Sequence, residues 1–343
     1  MWPQRFLKLV LIVIALSSIP ARANQLFDVK PVAPGVYAAI AQPTFRPNSN
    51  AAIILLEDGV LIVDTEAKPS AAEELIAYIK HLTDKPLKYI VITHFHADHT
   101  QGASTYLKAW PQAEIISSEA TRASIILRGQ ARQKFEAFNV PRQIDQLKSD
   151  LIRTEDPAAK PGLQKDLAEA NLYEHELTDL PIALPTMTVN KGLRIEDKSH
   201  PVEVLFLGKA HTDGDLFVFL PKDKILISGD AVQSLTPTMR DCYPRDWIRT
   251  LQAAEKLDFD TVIGGHGEPF HGKETLELWE EYFADLLDRA AKAYASGATL
   301  DQTRKQLAPA LLETYGIRFP KRFSTGVISN IEKAYRFTSG DNE

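Results

Sequence analysis

The segment Thr93-His94-Phe95-His96-Ala97-Asp98-His99-Thr100 constrains this chain more than any other, because four metal-competent side chains fall within six residues directly after the apolar run Tyr89-Ile90-Val91-Ile92. A buried strand must end here in a turn that gathers polar donors. Neutral imidazole nitrogens and carboxylate oxygens suit Zn²⁺, with iron or manganese the other metals such donors accept. In an extended turn His94 and His96 lie on one side, while Asp98 and His99 reach a second position nearby. A histidine-rich surface loop would need neither the preceding strand nor further ligands downstream.

Around that turn the sequence alternates strand and helix, as layered α/β folds do. Gly35 to Ile40 and Asn50 to Leu56 read as strands, and Glu57-Asp58-Gly59 joins the second to Val60-Leu61-Ile62-Val63-Asp64 as a hairpin. Ser70 to Leu82 has helical spacing at Ala71, Leu75, Ile76 and Ile79, with Ser70 and Glu73 set as a capping box. Gly102 to Trp110 reads as a short helix and Ala113 to Ser117 as a strand. From about 119 to 184 the chain turns polar and is interrupted by Pro141, Pro157, Pro161 and Pro181, which predicts two or three helices inserted into the fold. Strand-like runs return at 186–189, 202–207, 216–220, 225–227 and 261–263, with a helix over 247–257. The region 274–343 reads as helical, led by a long amphipathic helix over 274–295.

With 343 residues, 44% of them hydrophobic, the chain can bury a large core and reads as one domain over 24–343 after a leader. The leader is expected over 1–23: Arg5 and Lys8 precede the apolar run Leu9 to Leu16, and Ala21-Arg22-Ala23 offers a small-x-small cleavage site. Its apolar run is short for a membrane span, so cleavage and a periplasmic or secreted product, with no stable membrane anchor, is the expectation. Losing Arg5, Lys8 and Arg22 changes the formal net charge from −6 to −6 − 3 = −9. Such a chain should repel nucleic acid, and a small-molecule substrate is the expected partner. Cys242 is the one cysteine, so no intramolecular disulfide forms, and it reads as a buried small residue.

Three later residues repeat the arrangement of a donor placed just past an apolar strand: His211 in Gly208-Lys209-Ala210-His211, Asp230 in Ser228-Gly229-Asp230, and His266 in Gly264-Gly265-His266-Gly267. Strand ends on one sheet edge converge even when far apart in sequence. Taken in order, His94-x-His96-x-Asp98-His99, His211, Asp230 and His266 resemble the ligand set of the metallo-β-lactamase superfamily. That resemblance covers nearly the whole chain after the leader. It implies a four-layer αββα sandwich with two Zn²⁺ at one edge, one held by His94, His96 and His211, the other by Asp98, His99 and His266, and Asp230 bridging. It also implies that Asp64 is the buried aspartate that holds the histidine turn, and that Asp98 orients and deprotonates the attacking water.

The resemblance bears on the substrate as well. The superfamily's true β-lactamases lack a bridging aspartate at the Asp230 position, whereas glyoxalase II-like thioesterases, lactonases and many phosphodiesterases have one. The expected activity is therefore hydrolysis of an ester, thioester or lactone carbonyl, with β-lactam hydrolysis behind it. A mononuclear iron oxygenase of the persulfide dioxygenase kind, which shares the fold, is the reading from another class. Gln233, Arg240, Tyr243 and Arg245 are candidate substrate contacts, Arg because its fork pairs with carboxylates. His81, His175, His200 and His271 read as non-ligands. The insertion is a lid or a dimer contact; the lack of a long apolar stripe favours a lid.

Overall fold

Val60-Leu61-Ile62-Val63 is buried along its whole length, and its side chains alternate: Val60 and Ile62 join one apolar cluster, Leu61 and Val63 another. A strand with both faces covered reads as a continuous hydrophobic run and must lie between two layers. The same alternation holds in the second half, where Phe217 and Phe219 face one cluster and Leu216, Val218 and Leu220 the other.

The computed structural model describes residues 26–319 and 323–340. The expected leader lies outside the described residues. Strands β1 (Phe27–Ala33), β2 (Val36–Ala41), β3 (Ala51–Leu55) and β4 (Val60–Val63) run antiparallel in succession. Helix α1 (Pro69–Leu82) then crosses to β5 (Leu87–Val91), which pairs parallel with β4. The short α2 (Ala97–Thr100) and α3 (Ala103–Ala109) lead to β6 (Glu114–Ser118). Next come the helical insertion, α4 (Glu119–Arg153) and α5 (Lys160–Leu177), and β7 (Met187–Val189), which closes a seven-stranded sheet ordered β1 to β7.

The second sheet has six strands in the order β13-β12-β11-β10-β9-β8. They are β8 (Gly192–Ile195), β9 (Val202–Leu205), β10 (Phe217–Leu220), β11 (Ile225–Gly229), β12 (Thr261–Gly264) and β13 (Phe270–His271), with α6 (Pro244–Ala254) inside the parallel crossover from β11 to β12. Helices α7 (Glu274–Ala295), α8 (Leu300–Tyr315) and α9 (Phe323–Ser339) follow. One apolar cluster fills the space between the sheets, a second packs α1 and α3 on the first sheet, and a third packs α6 to α9 on the second. This is the expected αββα sandwich with a helical insertion.

Local differences from the sequence reading have physical causes. Ser70 does not cap α1: the helix starts at Pro69, and the backbone N–H of Ser70 donates instead to Glu176 of α5 at 2.9 Å. A carboxylate 106 positions away has taken over a local capping role. Pro141 does not end its helix either, and α4 runs 35 residues through it. Val140 and Ile144 flank the proline and bury against Ala170 and Tyr173 of α5, so packing outweighs the lost backbone hydrogen bond. The outer face of α4 does expose apolar side chains, Leu127, Phe135 and Phe138 among them. Edge strands β1, β8 and β13, which lack a continuous apolar run, were not legible in the sequence.

Asn50 joins the two sheets next to the ligand turns. Its Oδ1 accepts from the N–H of Ala41 (2.9 Å), and its Nδ2 donates to the carbonyls of Gly264 (3.0 Å) and Gly267 (2.7 Å), the turn that carries His266. Replacing Asn50 with Ala leaves those buried groups unmade and should cost about 3 kcal/mol. Urea unfolding checks this, and a midpoint unchanged from the parent would contradict it.

Candidate metal centre

Every candidate ligand lies where a strand of one sheet or the other ends. His94 and His96 follow β5, Asp98 and His99 lie in α2, His211 lies between β9 and β10, Asp230 follows β11 and His266 follows β12. Backbone hydrogen bonds lock these ends together: Leu216 N to Thr93 O at 2.9 Å, Gly265 N to Gly229 O at 2.7 Å, and Asn50 N to Gly265 O at 2.7 Å. The seven candidate side chains fall into two groups whose donor atoms lie within 4.8 Å of one another: His94, His96, His211 and Asp230 in one, Asp98, His99 and His266 in the other.

Each of four histidines has one ring nitrogen occupied by an outer partner, which fixes where its lone pair points. His99 Nδ1 donates to Asp64 Oδ2 at 2.7 Å. His211 Nδ1 donates to the carbonyl of Thr238 at 2.9 Å. His96 Nε2 donates to Asp241 Oδ2 at 3.0 Å. His94 Nδ1 lies 3.1 Å from the Thr93 hydroxyl, which itself donates to Asp64 at 2.9 Å. The free nitrogens therefore face inward, and His96 Nδ1 lies 3.0 Å from both His94 Nε2 and His211 Nε2. Three lone pairs that close repel one another unless a cation lies among them. The buried His99 Nε2 of the second group has no hydrogen-bond partner, nor has Asp230 Oδ1 of the first. These donors fit divalent cations.

Asp230 faces both groups. Its Oδ2 is 3.5 Å from His211 Nε2, and its Oδ1 is 3.5 Å from both His99 Nε2 and His266 Nε2. Asp98 Oδ2 lies 3.2 Å from His266 Nε2. Burial, reinforced by the neighbouring imidazoles of His99 and His96, holds His94 well below the usual histidine range. Burial likewise brings His211 down to about 4, against the pull of Asp230. Both are thus neutral and able to ligate. Burial would raise the Asp98 and Asp230 carboxyls, but the facing imidazoles, His99 and His266 in particular, hold both below the usual carboxylate range.

Asp64 supports the turn as the sequence suggested. It accepts from the Thr93 N–H (2.8 Å), the Thr93 hydroxyl and His99, and its own N–H donates to Val91 O at 2.8 Å. A cavity of about 1240 Å³ opens over the ligands and is lined by Gln233 and Arg240, while Tyr243 and Arg245 are not in its wall. His81, His175 and His271 are exposed and outside both groups, and His200 pairs with Asp223 at 2.7 Å. Cys242 is buried, and burial pushes its thiol up. The first half of α4 forms a cavity wall through Ile125, Arg128 and Arg132, and buried Glu136, paired with Arg132 on the same helix, ties it to Arg46. Asp241 was missed in the sequence. It is one acid in a polar loop, and nothing local marks it as the partner of a histidine 145 positions away.

A family model described as "Metallo-beta-lactamase superfamily" matches residues 45–266. The chain belongs to the metallo-beta-lactamase superfamily. Among curated proteins it is similar to a linear primary-alkylsulfatase from a Pseudomonas species, 24% identical over 76% of this chain and 51% of that protein. The chain thus spans about half the length of the alkylsulfatase. It is also 24% identical to the metallo-beta-lactamase type 2 of Bacillus cereus, over 64% of this chain and 67% of that one. Among solved structures, a metallo-beta-lactamase from Pontibacter korlensis shares the fold at a TM-score of 0.54 and 19% identity, covering 75% of this chain and 99% of its own.

In this chain the Gly265 backbone lies against the candidate ligands. A Cβ at Gly265 would fall 2.1 Å from Asp230 Oδ1 and 2.9 Å from His99 Cε1. Gly265→Ala should therefore displace Asp230 and weaken divalent-cation binding by about 10- to 100-fold. Competition titration against a chromogenic chelator checks this, and affinity equal to the parent's would contradict it.

Proposed function

We propose that this chain is a dinuclear, zinc-dependent hydrolase that cleaves a small-molecule ester, thioester or lactone. The observation that carries this is Asp230, whose two oxygens are directed to two separate groups of donors. His94, His96 and His211 would hold one cation, Asp98, His99 and His266 the other, and Asp230 would lie between. Two cations there supply a water acidified toward neutrality and Lewis-acid polarisation of the substrate oxygen.

The chain's own residues do the rest. Asp98 is the cluster carboxylate more open to the cavity, its side chain 29% exposed against 9% for Asp230, so it orients the attacking water and takes its proton. Gln233 lines the cavity with a buried Oε1 that has no partner, an acceptor for a substrate donor. Phe95 and Ile125 exclude water from the opposite wall. Asp241 holds His96 in the tautomer that points Nδ1 inward.

The bridging position of Asp230 supports a carbonyl substrate of the glyoxalase II-like kind over a β-lactam. A second reading, cleavage of a sulfate ester, is supported by the similarity to the alkylsulfatase across 76% of this chain. The sequence of residues 1–23 supports export to the periplasm or beyond, and the negative net charge of −6 supports a small-molecule partner rather than nucleic acid.

A panel of chromogenic thioester, lactone, aryl ester, β-lactam and aryl sulfate substrates, run with and without chelator, tests the reading. Turnover of a carbonyl ester that chelator abolishes is expected. Chelator-sensitive turnover confined to the sulfate would move the assignment to the second reading, and one iron per chain by elemental analysis, with oxygen uptake on a persulfide, would overturn hydrolysis altogether.

A further inference from the structure

One wall of the cavity contributes Asp230 alone to the candidate ligand set. It is built from α9 and from the loop between β11 and α6, and Asn330 fastens the two: its Nδ2 donates to the carbonyl of Pro237 at 2.9 Å and to the hydroxyl of Tyr282 at 3.1 Å. One turn further along α9, Lys333 lines the cavity and is half-buried. Arg240 and Asp241 line the same cavity. Among the described residues Lys333 has neither a hydrogen-bond acceptor nor a carboxylate partner.

The neighbouring charges do not offset it. Arg240 Nε lies 3.2 Å and Arg128 Nη1 3.6 Å from the single carboxylate of Asp241, which also accepts from His96. Two arginines thus share one carboxylate that a ligand histidine already engages, and Lys333 adds a third positive charge to the wall with no carboxylate of its own. Other charged residues of the wall are paired elsewhere, Arg132 with Glu136 at 2.7 Å and Arg336 with Glu332 at 3.0 Å, while Asp98 and Asp230 belong to the ligand groups. A chain of net charge −6 has acids to spare, so the shortage of acids here is local. A half-buried ammonium that no carboxylate of the described residues engages can pair with an anionic ligand. The rest of the cavity supplies apolar surface through Phe95, Ile125, Ile182 and Leu235.

We propose that Lys333, with Arg240 lining the same cavity, binds an oxyanion on the substrate, a carboxylate or sulfonate carried at the far end of an apolar segment from the bond that is cut. This rests on the hydrolase reading for which bond that is, and on the cavity alone for the anion. Helix α9, which carries Lys333, lies beyond the residues 45–266 matched to the superfamily, whereas Arg240 lies within them. Lys333 sets selectivity and takes no part in bond cleavage.

The test reads binding without turnover. The metal-loaded full chain is titrated by calorimetry with ω-mercaptoalkanoates, ω-mercaptoalkanesulfonates and the matching neutral ω-mercaptoalkanamides, in increasing chain length, the thiolate serving as the anchor at the metals. At one chain length an anionic thiol should bind at least about tenfold more tightly than its amide. Lys333→Met should abolish that preference and leave amide affinity unchanged, and Lys333→Arg should restore it. The better of the two anions identifies the oxyanion. Equal affinities for anion and amide at every length, or a preference that survives in Lys333→Met, would overturn the proposal. An inactive substrate panel does not alter this result, and a missing preference does not alter the hydrolase reading.

Discussion

Asp64 carries the histidine turn. Nearly inaccessible to solvent, it accepts three hydrogen bonds from Thr93 and His99, and its backbone amide is tied to Val91. The residue pays for this with a left-handed backbone, φ 66°, which a short acidic side chain bonded to nearby groups tolerates better than most. Because Asp64 orients His99 directly and His94 through the Thr93 hydroxyl, one carboxylate sets a lone pair in each ligand group. Thr238 and Asp241 do the same for His211 and His96. The centre is therefore built from outside inward: outer hydrogen bonds decide where the nitrogens of His94, His96, His99 and His211 point before any cation arrives.

The two sheets make that possible by ending at a common edge. Strands β4 and β5, and on the other side β11 and β12, are parallel pairs, so successive C-terminal ends emerge side by side. Gly229 and Gly265 let the backbone approach closely there; at Gly229, φ 51° and a Cβ position 2.4 Å from the Thr93 hydroxyl leave no room for a side chain. Superfamily membership then accounts for the shared edge, while α4 and α9 build the cavity walls that differ most from what the ligand set alone requires.

Much of this was legible in the sequence because the ligands announce themselves locally. His94 to His99, His211, Asp230 and His266 each follow an apolar run, and a strand with both faces buried leaves such a run. What was not legible depends on contacts between distant segments. Asp241 meets His96 across 145 positions, and Asn50 meets Gly264 across 214. The capping box expected at Ser70 failed for the same reason, since Glu176 arrives from the insertion. The two helices of the insertion were legible, but not that Pro141 lies inside one of them: a residue that breaks isolated helices is tolerated where Val140 and Ile144 are buried beside it.

Under the proposed function one carboxylate, Asp230, separates two cation sites. Anomalous diffraction from crystals grown with zinc, measured on both sides of the zinc absorption edge, tests it most directly. Two peaks are expected, one among His94, His96 and His211 and one among Asp98, His99 and His266, each in contact with a different oxygen of Asp230. A single fully occupied peak, or two peaks of which one does not touch Asp230, would contradict it.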